Sequence, residues 1–166
     1  MRRLALAVVI LTITAAAAPF TGRITQGFSR LHRGIDLAAR YGTIVRSIGP
    51  GTVVFAGWRR NCGGWQVYVK ADGYYVTYNH MSRILATKGD VLDTGTRLGK
   101  VGSSGKPPTW APKMVCSTGS HLHLEVWLGY PWRHGSRRVD PTPYIWPVLN
   151  MGDNHPHYAP KGLWPQ

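Results

Sequence analysis

The hydrophobic and polar positions along the chain predict a series of short strands. An apolar run rich in β-branched residues spans Gly51–Trp58 and is bounded by glycine, which is typical of a buried strand. Two more such runs, Trp65–Ala71 and Tyr74–His80, flank Asp72-Gly73. That dipeptide is typical of a two-residue hairpin turn in which both positions have positive φ. Alternate residues of the first arm are apolar, which predicts that one face of this strand is buried.

Two later segments continue the pattern and indicate the fold class. Thr96–Gly102 predicts a short strand, and polar and apolar residues alternate along most of His121–Leu128. Side chains alternate across a strand, so His121 and His123 share one face. Gly and Pro are abundant, with 20 and 12 residues, and no sustained helical stripe of apolar residues is present in the sequence. We therefore predict a mostly β protein with few or no long helices.

Residues 1–20 have the pattern of a secretory signal peptide. Arg2 and Arg3 precede a largely apolar run, Leu4–Ala18, which ends in small residues. A bilayer span needs about 20 residues, so an uncleaved membrane anchor is the less favoured alternative. We expect the protein to be secreted or held in the cell envelope, in the periplasm or the cell wall.

Export also bears on the two cysteines of the chain, Cys62 and Cys116. In an oxidising compartment these two thiols can pair. The disulfide would close a loop of about 53 residues and stabilise the fold by roughly 4 kcal/mol in the chain-entropy model. Two separate thiols are the alternative.

Composition and charge narrow the class of partner. The chain has 166 residues, of which 43% are hydrophobic, and this suits one folded domain. Its 20 Lys and Arg residues against 7 Asp and Glu residues give a net charge of +13, which favours a polyanionic partner. Nucleic acid, anionic lipid and anionic wall polymers all meet that description. The aromatic residues lie in the apolar strand pattern rather than among the basic residues, so we expect no nucleic-acid partner.

Three groups of residues have the chemistry of a metal site. His32 and Asp36 are close in sequence, His121 and His123 share a strand face, and His80 ends the second arm of the hairpin. Zinc favours imidazole and carboxylate ligands, and three protein ligands with an open position are typical of catalytic zinc. A lone histidine is more often an ordinary surface residue. That interpretation is assigned to the remaining histidines: His134, His155 and His157.

Short motifs recur in a fixed order between residues 23 and 145, beginning with Ile24–Ala38 (ITQGFSRLHRGIDLA). The others are Gly42-Thr43, Gly51–Val53, Tyr78–Ser82, Gly89–Val91, Leu98–Gly102, Gly119–Val126 and Val139–Pro141. Each motif alone is modest, but the ordered set resembles the LytM/lysostaphin-type zinc endopeptidases of peptidase family M23.

The resemblance implies a role for each site residue. His32, Asp36 and His123 correspond to the ligands of one zinc ion per chain, and His121 and His80 correspond to the catalytic groups beside it. His121 is the favoured general base, because its place in the strand sets it next to the metal. Glu125 shares the strand face of the two histidines and is either a carboxylate behind the metal ligands or a structural surface residue.

The resemblance also implies a fold and an activity. The fold is an antiparallel β-sheet sandwich with a groove, of the duplicated-hybrid-motif type. The activity is that of a secreted zinc metalloendopeptidase in which metal-activated water hydrolyses cross-bridge or stem peptides of bacterial peptidoglycan. The expected partners are peptidoglycan and anionic wall polymers, with a membrane contact only if the signal remains uncleaved, and the protein is expected to be a monomer. A non-catalytic peptidoglycan-binding or division-regulating module of the same fold is the alternative.

The sequence departs from the family pattern at two places within a domain that we assign to residues 21–146. An insertion at residues 106–118 carries Cys116, and a disulfide would hold it as one wall of the substrate groove; a loop without function is the alternative. Few residues lie between the predicted signal and His32, so we expect no inhibitory segment there and no appended wall-binding module. Residues 147–166 are rich in proline and are predicted to form an irregular tail.

Overall fold

A computed structural model describes residues 23–149 of the chain, except residues 108, 110 and 114. The described residues form ten strands and one helix. These are β1 (Arg23–Gln26), β2 (Ile35–Ala38), β3 (Ile44–Arg46), β4 (Gly51–Trp58), β5 (Trp65–Lys70), β6 (Tyr75–Ile84), β7 (Val91–Leu92), β8 (Arg97–Val101), β9 (His121–Leu128), β10 (Arg137–Val139) and α1 (Thr142–Leu149). The predicted signal peptide, His155 and His157 lie outside the described residues.

The strands pair in antiparallel fashion in the order β1-β2-β9-β6-β5-β4-β7, with β10 beside β9. The long strand β6 belongs to two parts of this sheet. Its residues 75–79 pair with β9, whereas Met81, Arg83 and Ile84 pair with β8, which in turn pairs with β3. The change of partner falls at His80, whose φ is 63°. This mostly antiparallel β-architecture confirms the predicted fold class.

The hydrophobic core lies on one face of the central strands, as the alternating pattern predicts. Leu122 and Leu124 of β9 and Val67 of β5 are fully buried there. The prediction of one buried face for β5 is wrong, because Gln66 and Tyr68 on its opposite face are also fully buried. Their polar groups are satisfied, since the Tyr68 hydroxyl donates to Gln66 Oε1 and the Gln66 amide donates to a neighbouring turn. Hydrogen bonding removes the cost of burying polar side chains.

The predicted hairpin is present, but its turn differs from the prediction. Strands β5 and β6 pair with Lys70 opposite Tyr75, and the Ala71 N–H donates to the Tyr74 carbonyl. Gly73 has a φ of 76°, whereas Asp72 does not have a positive φ. A turn that needs the left-handed conformation only at its glycine suits a non-glycine residue at the preceding position.

The predicted irregular tail begins later than residue 147, because α1 runs to Leu149. The Asp140 carboxylate accepts hydrogen bonds from the Thr142 N–H and hydroxyl at 2.9 and 2.6 Å, and so caps the first turn. Pro143 is tolerated there because the first N–H groups of a helix have no partner within it. Within the described part of the chain, no helix is long and apolar enough to cross a membrane.

Candidate metal centre

The three predicted metal ligands come together on the sheet face opposite the core. Asp36 of β2 lies directly opposite His123 of β9 in the strand register, and His32 reaches them from the segment before β2. Oδ1 of Asp36 is 2.7 Å from Nδ1 of His123 and 3.1 Å from Nε2 of His32, and these two nitrogens are 3.1 Å apart. Three potential donor atoms therefore converge on one point.

The donor set fits a zinc ion. Tetrahedral bonds of about 2.0–2.1 Å place neighbouring donors roughly 3.3 Å apart, close to the separations seen here. Nδ1 of His32 donates to the Gly27 carbonyl at 2.9 Å, which leaves a lone pair on Nε2 facing the site. Gly34 keeps the space clear, because a Cβ at this position would lie 2.7 Å from the His123 ring.

The local electrostatics favour a bound cation. Burial would raise the pKa of Asp36, but the hydrogen bond and charge of His123, with His32 and His121 nearby, hold it below its usual value. Burial would lower the pKa of His123, but hydrogen bonds to Asp36 and Glu125 and the charges of both carboxylates raise it to about 9. Without a metal ion, a proton on His123 neutralises this acidic site.

His121 and His80, the two predicted catalytic residues, lie beside the ligands. Their ring centroids are 4.7 Å apart, and His121 Nε2 is 3.7 Å from Asp36 Oδ1. Nδ1 of His80 is 2.7 Å from the Ser104 carbonyl oxygen, and Nδ1 of His121 is 2.9 Å from that of Gly119. A carbonyl oxygen only accepts, so each Nδ1 carries the hydrogen and each neutral ring keeps a lone pair on Nε2.

His80 combines burial with an uncommon backbone conformation. Its side chain is almost fully buried, and burial lowers its pKa to about 4 against the opposing hydrogen bond to Ser104. A positive φ at a non-glycine residue is held only where the surrounding structure requires it. Here the His80 N–H donates to the Gly63 carbonyl at 2.8 Å. The ring is therefore neutral at pH 7 and fixed in place.

Glu125 lies behind His123 and is buried, which excludes the alternative of a surface residue. Its Oε1 atom lies 3.4 Å from His123 Nε2 and accepts from Arg138 at 3.0 Å. Its Oε2 atom accepts from Thr77 and Trp127 at 3.0 and 2.8 Å. Burial would raise the pKa of Glu125, but the hydrogen bond and charge of His123, the charge of Arg138 and the hydrogen bond from Trp127 hold it below the usual value. Such a carboxylate orients a histidine ligand so that Nδ1 faces the metal.

Several groups that support the metal centre were not predicted from the sequence. Asn79 Nδ2 donates to the His123 carbonyl at 3.0 Å and to Thr77 Oγ1 at 3.1 Å, which links β6 to the metal-ligand strand. The only sequence signal for Thr77 and Asn79 was the alternation of side chains along β6, which places both residues on the same face. The sequence could not predict the roles of the Ser104 and Gly119 backbone carbonyls, because no side-chain type marks a carbonyl that accepts such a hydrogen bond. His134 is exposed, as expected of a surface histidine.

The site combines two histidines and one carboxylate with two further histidines beside them, which is the arrangement typical of metal-dependent hydrolases. The chain belongs to peptidase family M23, whose sequence model matches residues 30–141.

Individual relatives agree with this assignment. The L-Ala–D-Glu endopeptidase of Bacillus subtilis is 35% identical over 124 residues, which are 72% of this chain and 36% of that protein. The peptidoglycan DD-endopeptidase ShyA of Vibrio cholerae is 34% identical over 108 residues, or 65% and 22% of the two chains. The catalytic domain of lysostaphin from Staphylococcus simulans has a similar structure, with a TM-score of 0.57, 29% identity and coverage of 78% and 87%. The chain thus spans about a fifth to a third of the length of these two curated relatives.

Proposed function

We propose that the protein is an extracytoplasmic zinc metalloendopeptidase that hydrolyses peptide bonds in bacterial peptidoglycan. The observation that carries this proposal is the convergence of the His32, Asp36 and His123 donor atoms beside two histidines with free Nε2 lone pairs. A structural metal site is usually closed by a fourth protein ligand, whereas three ligands suit catalysis.

The residues around the metal centre have different roles in hydrolysis. When bound, zinc lowers the pKa of a water molecule and polarises the scissile carbonyl. His121 acts as the general base through Nε2, and the Gly119 carbonyl, which accepts from Nδ1, holds the ring in this tautomer and stabilises the imidazolium that forms. The same ring then returns the proton to the leaving amine. The neutral, buried ring of His80 accepts a hydrogen bond through Nε2 and orients the reacting groups beside His121.

The substrate class rests on the relatives and on charge. ShyA is named a peptidoglycan DD-endopeptidase and the Bacillus enzyme an L-Ala–D-Glu endopeptidase, so the names differ in the bond and the proposal stops at the class of polymer. The net charge of +13 suits wall polymers that carry phosphate or carboxylate groups. Extracytoplasmic placement is supported by the Cys62–Cys116 disulfide and by the signal-like pattern of residues 1–20.

Digestion of purified peptidoglycans with different cross-links tests the proposal. Mass spectrometry of the released muropeptides should show new peptide termini with the zinc-loaded protein and none after chelation, with activity restored by zinc. The His123→Ala variant is the matched control, because it removes one ligand. Binding of peptidoglycan without new termini at any cross-link would instead identify a non-catalytic wall-binding module.

A further inference from the structure

The Cys62–Cys116 disulfide joins the 106–118 insertion to the turn that follows β4, with the two Cα atoms 4.8 Å apart. The chain enters the insertion through Ser103–Lys106 and leaves it through Cys116–Gly119. We call these two segments the entry stem and the exit stem. Both stems reach the catalytic histidines, so the bridge has a consequence beyond stability.

The entry stem packs tightly on the turn that carries Cys62. A Cβ on Gly105 would lie 2.0 Å from the Cys62 carbonyl oxygen and 3.3 Å from the Cβ atom of Cys116. A Cβ on Gly64 would lie 2.5 Å from Ser104 Oγ. Only glycine at both positions allows backbones to approach this closely, and the Lys106 N–H also donates to the Asn61 carbonyl at 3.2 Å.

This packing sets the position of the Ser104 carbonyl, which accepts the hydrogen bond from Nδ1 of His80 at 2.7 Å. The Trp65 N–H donates to Ser104 Oγ at 3.0 Å and holds the same residue from the β5 side. The orientation of the His80 ring therefore depends on the entry stem. The stem also determines that the ring carries its hydrogen on Nδ1 and its lone pair on Nε2.

The exit stem serves His121 in the same way. The Gly119 carbonyl accepts from Nδ1 of His121 at 2.9 Å. Ser117, which follows Cys116, donates to that carbonyl at 2.8 Å. The Ser117 hydroxyl also lies 2.7 Å from the Ser103 hydroxyl, so the two stems contact each other.

The metal ligands are held by other groups. His32 donates to the Gly27 carbonyl and His123 faces Glu125, and neither partner belongs to the insertion or to the turn that carries Cys62. We propose that the Cys62–Cys116 disulfide positions both catalytic histidines through the Ser104 and Gly119 carbonyls, independently of zinc binding. The proposal rests on the catalytic roles proposed above for His80 and His121.

The Cys62→Ser/Cys116→Ser variant tests this role in the zinc-loaded protein. We expect the zinc Kd to change by less than about twofold, since the ligand supports remain. We expect kcat on a soluble cross-linked muropeptide to fall on the order of 10- to 100-fold, because misplaced catalytic groups lose rate steeply. In ¹⁵N-histidine NMR spectra, His80 and His121 should change from a single Nδ1–H tautomer to a mixture.

Leu92→Ala is the matched control, because it destabilises the core at the β7 edge of the sheet, away from both stems. It should lower Tm by a similar amount and leave kcat and the histidine tautomers unchanged.

Unchanged kcat and tautomers in the serine variant would overturn the proposal. If that variant does not fold, the same comparison is made between wild-type protein with the disulfide reduced below its Tm and the same protein after reoxidation. Circular dichroism follows whether each sample is folded. Wild-type protein that retains the tautomers but hydrolyses no peptidoglycan would contradict the proposed function instead.

Discussion

Nε2 of His121 lies 3.7 Å from Oδ1 of Asp36, whereas Nδ1 of the same ring is held by a backbone carbonyl. His121 is therefore close to the metal centre without being one of the three converging ligands. Under the proposed mechanism, this arrangement separates metal binding from proton transfer, so the two functions should be separable by mutation.

His121→Ala and His80→Ala should each retain zinc but lose hydrolysis, on the order of 100-fold or more for the general base. His123→Ala should lose both zinc and hydrolysis. Metal content by mass spectrometry, measured on the same samples as muropeptide release, checks the separation. Full activity in His80→Ala would contradict its assignment.

Zinc affinity should depend on pH through His123. The pKa of His123 is raised to about 9 in the metal-free site. The pKa of His123 is higher in the folded chain than in the unfolded chain, where it is near 6.5, so protonation of His123 stabilises the metal-free fold. This contribution is complete below pH 6.5 and disappears as pH rises through about 9. Zinc must displace the proton, so affinity should rise about tenfold per pH unit up to pH 9. Calorimetry in buffers of different ionisation enthalpy should detect one proton released per zinc at pH 7; no release would contradict this prediction.

His80 should make the fold sensitive to acid. Its pKa falls from 6.5 to about 4 on burial, so its contribution to stability is complete above pH 6.5 and is lost as pH falls towards 4. This difference corresponds to about 3 kcal/mol. Urea unfolding with chelator present should show a shallower pH dependence in His80→Asn, since asparagine also tolerates positive φ. Equal slopes for both proteins would rule out His80 as the source.

Glu125→Gln should weaken zinc binding by about 10- to 100-fold, because the amide is a poorer acceptor for the His123 ring. Trp127→Phe is the control, since it removes a hydrogen bond to Oε2 and leaves the Oε1 contact with His123. Zinc titration and thermal unfolding of both variants distinguish the roles. If both lose stability alike while zinc affinity stays the same, Glu125 serves only the fold.

Wall binding should weaken with ionic strength if the net charge provides affinity; that charge is +13, or +11 without Arg2 and Arg3 of the predicted signal. Exposed charges are screened over about 10 Å at 0.1 M salt and about 3 Å at 1 M. Co-sedimentation of catalytically inactive His121→Ala with purified cell walls, before and after removal of anionic polymers, measures this effect. Binding that is unchanged by salt and by polymer removal would contradict an electrostatic contribution.

The sequence alone predicted β6 and β9, which carry His80, His121 and His123, but not β2, which carries Asp36. Period-two alternation places His121 and His123 on one face of β9, and this depends only on local backbone geometry. The same local rules fail at β5, where the burial of Gln66 and Tyr68 depends on what covers the second face. They also fail in α1, because the irregular tail predicted from residue 147 overlaps the last three residues of this helix.

Only the tertiary structure decided how the site is supported. Asp36 meets His123 because β2 and β9, far apart in sequence, pair in one particular register. The tautomers of His80 and His121 depend on the carbonyls of Ser104 and Gly119, and a backbone carbonyl has the same chemistry in every residue type. Residue identity therefore shows which groups can bind metal or transfer protons. Their orientation comes from long-range packing, including the packing held by the disulfide, which no local pattern encodes.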